Sequence, residues 1–294
     1  MNDAQHVEAI AGALRAGRLI PYLGPGMLEL CPEVGTVPAS LEALAGFLGS
    51  KVTVPGRARG NLGASAQYIE NFKHRKTLVD LMRQAFAPPL TPAPLHRALA
   101  ALPSVPLIVQ LWYDDVLRTA LTDRKDVGLI QGLSQSEHFG TWFDAMEPDG
   151  APLEINALAE RALVLYQPWG AVAPRQNFLV SDADFVEVLT EIDIQTPIPA
   201  LVQERRRERS FLFLGCRFAS QTERIFAHQI GKRSADAHYA VLAAEPTRNE
   251  ARFLAQHGIT RIQLPLAEFA QRLVARLGEV GAPAQPQGSP SAAA

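Results

Sequence analysis

Near the start of the chain Val7, Ile10, Ala11 and Leu14 recur at three- and four-residue spacing and fall on one face of a helix. Asp3 is placed to cap this helix and Gly17 to end it. The run Arg18-Leu19-Ile20-Pro21-Tyr22-Leu23 then reads as a strand leading into Gly24-Pro25-Gly26, with Pro21 forfeiting one ladder hydrogen bond. Over 38–100 the spacing predicts helices. Ser40 caps 41–48, and a longer pattern runs through Ala66, Ile69, Leu78, Leu81, Met82 and Phe86. After Pro88-Pro89-Leu90-Thr91-Pro92 a short helix resumes over 96–102. Beyond it, short apolar runs stand at 107–111, 127–130, 162–166, 211–214, 238–243 and 259–264. Several are unbroken rather than alternating, as strands covered on both faces are. Helical segments separate most of them; Thr247-Arg248-Asn249-Glu250 forms a capping box, and Gly258 follows the last turn. Strands alternating with helices predict a doubly wound α/β sheet.

Composition narrows the class. The 294 residues are 47% hydrophobic and 20% charged, too apolar for a disordered chain. A chain of this length buries about three-quarters of its unfolded surface and needs no disulfide or metal to fold. No stretch reaches the ~18 apolar residues of a membrane span, and the start MNDAQHVEAI lacks the apolar core of a signal peptide. The net charge of −2 argues against a nucleic-acid partner. Cys31 and Cys216 are far apart with no CxxC pairing, so neither a disulfide framework nor a zinc site is indicated, and a reducing cytoplasm is the simplest location. The tail 281–294, rich in Ala, Pro, Gly and Ser, reads as disordered.

The chief chemical signal is LIPYLGPGML at 19–28. A strand ending in Gly-x-Gly brings a phosphate close to the main chain, and a following helix adds its positive end. The third glycine of a dinucleotide fingerprint is absent, and Pro25 has no N–H to give. On these residues alone, an ordinary tight turn after a strand is an equal reading.

Several segments in order carry more. LIPYLGPGML, LIVQLWYDDVL at 107–117, VLYQPWGAV at 164–172, SDADFVEVL at 181–189 and FLFLGCRFASQTERIF at 211–226 resemble, in sequence and spacing, five motifs of the sirtuin-like family, particularly its bacterial branch. The resemblance runs from about Leu19 to Leu264. It implies a mostly parallel Rossmann-like sheet that binds NAD or a related nucleotide, with a helical insertion after the first strand. The insertion matches the helical module at 38–100, and the whole reads as one domain over 1–280.

In that family an Asn in the second motif binds the nicotinamide riboside end and orders the attacking water, and a His in the third takes a proton from a ribose hydroxyl. This sequence has Trp112 and Trp169 at those positions. An indole donates only and cannot act as a base. The polar residue expected after the glycine turn is replaced by Met27 or Leu28, whereas Tyr113, Asp114 and Gly170 keep their places. Asp114 matches the family's acidic residue that contacts the nicotinamide amide. Gln110, Tyr166 and Gln167 are the nearest polar groups and poor bases; His96, His138 and His228 lie elsewhere in the sequence. The two indoles either pack a decayed pocket or stack on a planar ligand. Cys216 either lines the cleft or is a buried inert thiol, and Gly215 is the better position for close approach to a nucleotide. The run Glu204-Arg205-Arg206-Arg207-Glu208-Arg209 reads as a solvated helix end, although an Arg there could reach a phosphate.

The reading is a nucleotide-binding protein, with Gly24, Pro25, Gly26, Trp112, Asp114, Trp169, Gly215 and Cys216 as its cofactor-binding residues, no metal and no catalytic residue. It would act as a sensor or regulatory module, alone, with a partner protein or as a homo-oligomer. An NAD glycohydrolase or deacylase with a displaced base, and a structural partner that binds no ligand, are the alternatives.

Overall fold

The computed structural model describes residues 3–136, 140–191 and 197–278. The predicted tail at 281–294 and His138 lie outside them. Among the described residues ten strands run in chain order as β1 (Leu19–Leu23), β2 (Leu107–Gln110), β3 (Val127–Gly132), β4 (Phe143–Met146), β5 (Leu163–Gln167), β6 (Gly170–Ala171), β7 (Asn177–Phe178), β8 (Ser210–Leu214), β9 (His238–Val241) and β10 (Ile259–Ile262). The helices are α1 (Asp3–Arg15), α2 (Leu41–Lys51), α3 (Leu62–Ala85), α4 (Pro94–Ala101), α5 (Val116–Ala120), α6 (Ile155–Ala159), α7 (Asp182–Glu191), α8 (Ala200–Arg205), α9 (Gln221–Gly231), α10 (Arg248–Gln256) and α11 (Leu266–Gly278). A short 3-10 helix, Pro25–Leu30, follows β1.

Eight strands form one sheet in the order β10-β9-β8-β1-β2-β5-β3-β4, parallel except for β4. The chain travels from β1 outward through β2 to β4, then returns across β1 to build β8, β9 and β10 on its other side. This reversal opens a crevice at the carboxyl ends of β1 and β8, where sheets of this kind place ligands.

Side-chain alternation makes the sheet two-faced. Ile20, Tyr22, Val109, Tyr166, Phe211 and Phe213 join one apolar cluster with α2, α3, α9 and α10. Leu19, Leu23, Ile108, Leu165, Leu212 and Leu214 join a second with α1, α4 and α11. Both faces are therefore covered, which is why the strands read as unbroken apolar runs. Pro21 sits opposite Leu212 in this central strand, and the β1–β2 ladder starts one residue later, at Tyr22 paired with Val109.

In the helical module between β1 and β2 the predicted cap Ser40 accepts from the Ala43 N–H at 3.0 Å, and Asn61, not foreseen in sequence, caps α3 by accepting from Ala64 at 2.9 Å. Helix α3 breaks at His74, whose φ of 69° is not helical. The break turns Arg75 inward, and its Nη1 meets Asp184 of α7 at 2.8 Å. Asp184 also accepts from the Val180 and Ser181 N–H groups at 2.9 and 3.0 Å and from the Ser134 hydroxyl. One buried carboxylate thus ties the module to the loop after β3 and the start of α7.

The charged run before β8 differs from its expected role as a solvated end. Glu204, Arg207 and Glu208 are exposed, but Arg205, Arg206 and Arg209 turn back to brace loop carbonyls. Arg205 reaches Pro106 at 2.6 Å, Arg206 reaches Gln229 and Ile230 at 2.9 and 2.7 Å, and Arg209 reaches Gly17 at 2.8 Å. The guanidinium forks complete the hydrogen bonding of these carbonyls, and the Pro106 oxygen also accepts from the Val164 N–H at 3.0 Å.

Removing one partner of a buried ion pair leaves an uncompensated charge. Asp184→Ala is therefore expected to lower unfolding stability by about 3–5 kcal/mol, read from urea denaturation.

Candidate functional site

Gly24 and Gly215 follow β1 and β8 and touch through their backbones. A β-carbon on Gly24 would lie 2.6 Å from the Gly215 carbonyl oxygen and 2.8 Å from Cys216 Sγ. One on Gly215 would lie 2.4 Å from the Met27 nitrogen, and Gly215 has φ +64°. Gly24 donates to the Leu214 carbonyl at 2.8 Å, Gly26 to Gly215 at 3.0 Å and Met27 to Gly24 at 3.2 Å. The glycines are there to let two loops interlock, and the N–H groups of Gly24 and Gly26 are occupied by carbonyls.

Beside this contact lies a cavity of about 250 Å³ reaching the end of β9. Pro25, Gly26, Gly215, Cys216 and Arg217 line its floor, and Ser40 and Glu42 at the start of α2 line its far wall. Glu223 closes the back, its carboxylate accepting from the backbone N–H and the hydroxyl of Ser220, both at 3.0 Å. Burial pushes Glu223 above the usual carboxylate range, and the charge of Glu42 adds to that. The Cys216 thiol is buried 3.7 Å from the Tyr22 and Leu214 carbonyls and is pushed up by burial; it lines the cavity as an unreactive group. Arg217, Glu42 and Glu223 escaped the sequence reading. Ser220-Gln221-Thr222-Glu223 carries a legible capping box, but Arg217 and Glu42 carry no signal in sequence alone.

At the ends of β2 and β5 the picture is different. Trp112 and Trp169 are each 1% exposed. Trp112 donates from Nε1 to the Pro38 carbonyl at 2.8 Å and packs on Phe86 and Tyr113, with ring centres 5.9 and 5.0 Å away. Trp169 packs on Phe185 at 5.2 Å, Phe226 at 5.8 Å and Tyr113 at 6.2 Å. The Tyr113 ring stands between the indoles, and its hydroxyl donates to Leu179 at 2.7 Å. Both indoles are buried at this end of the crevice, and Trp169 with Phe185 also lines a cavity of about 400 Å³ against the starts of α2, α3 and α9. Trp169 Nε1 is buried without a hydrogen-bond partner among the described residues.

Trp169 is delivered by the hairpin of β6 and β7, which Gln131 pins through Nε2 to the Arg175 and Asn177 carbonyls, both at 2.8 Å. Gln131, Gln167 and Gln110 occupy one rung across β3, β5 and β2, all buried. Both polar side-chain atoms of Gln167 lack partners among the described residues, and Gln110 donates to the Asp114 carbonyl at 3.0 Å. The Tyr166 hydroxyl is buried and pushed well up. His96 accepts the Ala93 N–H at 3.2 Å at the start of α4, and burial lowers it to about 4. His228 lies toward the amino ends of β8 to β10, away from the crevice. The second motif carries two carboxylates, Asp115, which pairs with Arg118 at 2.6 Å, and Asp114. Asp114 is buried, accepts from Val116 N–H at 2.9 Å, and burial raises it to about 6. The structure thus places Pro25, Gly26, Gly215 and Cys216 on one cavity, with Gly24 packed against Gly215 behind them, and it buries Trp112 and Asp114 at the other end, where Trp169 lines a neighbouring cavity that shares Leu41, Glu42 and Ala219 with the first.

A family model described as a SIR2-like domain matches residues 106–262, just over half of the chain and the stretch from β2 to β10. The matched residues include Trp112, Asp114, Trp169, Gly215 and Cys216; the glycine turn after β1 precedes them. No curated protein matches the chain significantly.

Two outcomes follow from this geometry. Trp169→Ala is expected to destabilise by about 3–5 kcal/mol, measured by chemical denaturation. Asp114 binds its proton more tightly folded than unfolded, so its contribution to stability falls as pH rises from about 4 to about 6 and stays unfavourable above. Asp114→Asn, which keeps the Val116 acceptor, should raise the melting temperature at pH 7.5 and leave it nearly unchanged at pH 4; the shift at pH 7.5 is bounded by roughly 3 kcal/mol.

Proposed function

The chain belongs to the SIR2-like family, and from that membership we propose that it binds a nucleotide of the NAD and ADP-ribose class without running the family's base-assisted chemistry. It acts in this reading as a sensor or regulatory module. The observation that carries the proposal is the contrast between the two ends of the crevice: its β1–β8–β9 end is an open cavity, and at its β2–β5 end the two motif positions hold the buried indoles of Trp112 and Trp169.

The residues present fit one half of a dinucleotide. A cavity of about 250 Å³ is small for a whole ligand, since such pockets usually span about 300–1,000 Å³. It suits an adenosine phosphate. Arg217, exposed at the cavity, supplies a charge for phosphate, and the first N–H groups of α2 beside Ser40 support the same anion. Carboxylates at Glu29 and Glu42 suit ribose hydroxyls, which donate to acidic side chains in dinucleotide folds. The glycine turn contributes close approach; its occupied N–H groups leave phosphate recognition to Arg217 and α2. The nicotinamide end does not fit: it holds packed aromatic rings, so no bond-breaking step is derived there.

One observation favours a second reading, a residual NAD glycohydrolase: burial raises Asp114 to about 6, in the range of a working general base.

Calorimetry with ADP-ribose, ADP and NAD separates these readings. Submillimolar binding is expected for all three, with NAD gaining no more than about threefold over ADP because its nicotinamide end finds no site. Arg217→Glu is expected to weaken binding by about tenfold or more with an unchanged melting temperature. Steady nicotinamide release abolished in Asp114→Asn would establish the hydrolase instead. No binding to any of the three would leave a structural partner protein.

A further inference from the structure

The net charge of −2 conceals an uneven distribution. From the end of α2 to the middle of α3, residues 51–76 hold Lys51, Arg57, Arg59, Lys73, Arg75 and Lys76 against a single carboxylate, Glu70. Glu70 and Arg75 pair at 3.5 Å with both side chains largely buried, so this acid does not offset the others at the surface. Arg57, Arg59, Lys73 and Lys76 are exposed and make no ion pair among the described residues.

The fold gathers these four charges along one strip of α3. Ser65, Tyr68 and Phe72 are spaced three and four residues apart and share a helix face. The Ser65 hydroxyl donates to the Ala58 carbonyl at 2.8 Å, which lays the loop before α3 over the start of that face, with Arg57 and Arg59 on either side of Ala58. Phe72 follows two turns later, about 10 Å along the helix. Lys73 adjoins it, and Lys76 comes just after the break at His74. The carboxylates of α7 are kept to the other side. A β-carbon on Gly63 would lie 2.1 Å from Asp182 Oδ1, and Gln67 Oε1 accepts the Ala183 N–H at 2.7 Å. Both positions are half a turn round the helix from Ser65 and Phe72.

Phe72, 65% exposed, is the one aromatic among the exposed large apolar side chains of the described residues. Its ring centre lies 4.6 Å from that of half-buried Tyr68 with the planes inclined at 33°, so Tyr68 supports it from one side. A supported, exposed ring among unpaired cations suits a partner that combines planar faces with a charged backbone. Single-stranded nucleic acid has both: unstacked bases lie on aromatic faces while phosphates meet Arg and Lys. A duplex keeps its bases stacked on one another, an acidic peptide need offer no planar face, and a membrane requires a broader apolar face than one ring.

We propose that this strip of the helical module, formed by Arg57, Arg59, Phe72, Lys73 and Lys76, binds single-stranded nucleic acid without reading its sequence. Phe72 stacks on a base, and the four cations hold phosphates. The surface belongs to α3 and the loop before it, and is independent of the nucleotide reading.

Fluorescence anisotropy of the full chain with a labelled oligothymidylate of about 12 nucleotides tests this. Micromolar binding is expected at about 50 mM salt, and raising the salt to about 200 mM should weaken it roughly 50-fold, as four phosphate contacts to a single strand require. Arg57→Gln with Arg59→Gln removes two of those contacts and should reduce that loss to about sevenfold. Phe72→Ala should weaken binding about tenfold without altering the salt dependence, whereas Phe72→Tyr should bind as the wild type does. Binding should persist in Arg217→Glu, which removes the cation of the nucleotide cavity. No binding up to about 100 μM protein at the lower salt, equal competition by polyglutamate or phosphatidylserine vesicles, tighter binding of a duplex, or unchanged affinity in Phe72→Ala would each overturn the proposal. Should Phe72→Ala fail to fold, the paired arginine variant decides alone.

Discussion

The contact between Gly24 and Gly215 sets the distance at which the loops after β1 and β8 can pass. With the Gly24 β-carbon position 2.6 Å from a carbonyl oxygen, a side chain there would displace backbone rather than a flexible group. The two strands pair along all five residues, Leu19 with Ser210 through to Leu23 with Leu214, and the glycines let that pairing continue into an interlock. Through it the 3-10 helix Pro25–Leu30 and the start of α9 are fixed relative to one another, and the cavity between them takes its shape. The interlock also uses the N–H groups of Gly24 and Gly26, so recognition of an anion passes to neighbouring groups.

The other half of the crevice follows from volume. Large rings at two motif positions require neighbours that can enclose them, and Phe86, Tyr113, Phe178, Phe185 and Phe226 supply these from the module, the hairpin and the helices. Aromatic edges and faces pack well in such tilted arrangements. The result is a cleft closed at one end by the same residues that hold the module against the sheet.

Much of this was legible in sequence, and the remainder was hidden for physical reasons. Unbroken apolar runs located the parallel strands because both faces of each are covered, and Ser40 and Thr247 announced α2 and α10 through capping chemistry. The edge strand β4 and the two-residue strands β6 and β7 gave no signal: Phe143 to Ala145 are only half-buried, and pairs of residues carry no period. The break in α3 at His74 was invisible because the apolar spacing continues across it. Gly24, Gly26 and Gly215 were picked out as positions of close approach, yet what approaches them in the fold is other backbone. Trp112 and Trp169 were visible as wrong for the chemistry, whereas whether they fill or line the crevice depended on Tyr113 and Phe226, distant in sequence. Arg217 and Glu42 were missed because only the crossing of α2 over the β8 loop makes them neighbours. The charged run at 204–209 misled because its acceptors are carbonyls from α6, α9 and the loops around β1, β2 and β5.

The position of Trp112 has a spectroscopic consequence. Its indole straddles the seam between the helical module and the sheet, touching Phe86 on one side and bonded to the Pro38 carbonyl on the other. Of the three tryptophans in the chain, it and Trp169 are sealed from water. Intrinsic fluorescence should therefore be blue-shifted in the native protein. If the module detaches before the sheet melts, Trp112 becomes wet while far-ultraviolet dichroism is still largely native. The two buried indoles would then serve as a built-in reporter of separation along the aromatic seam.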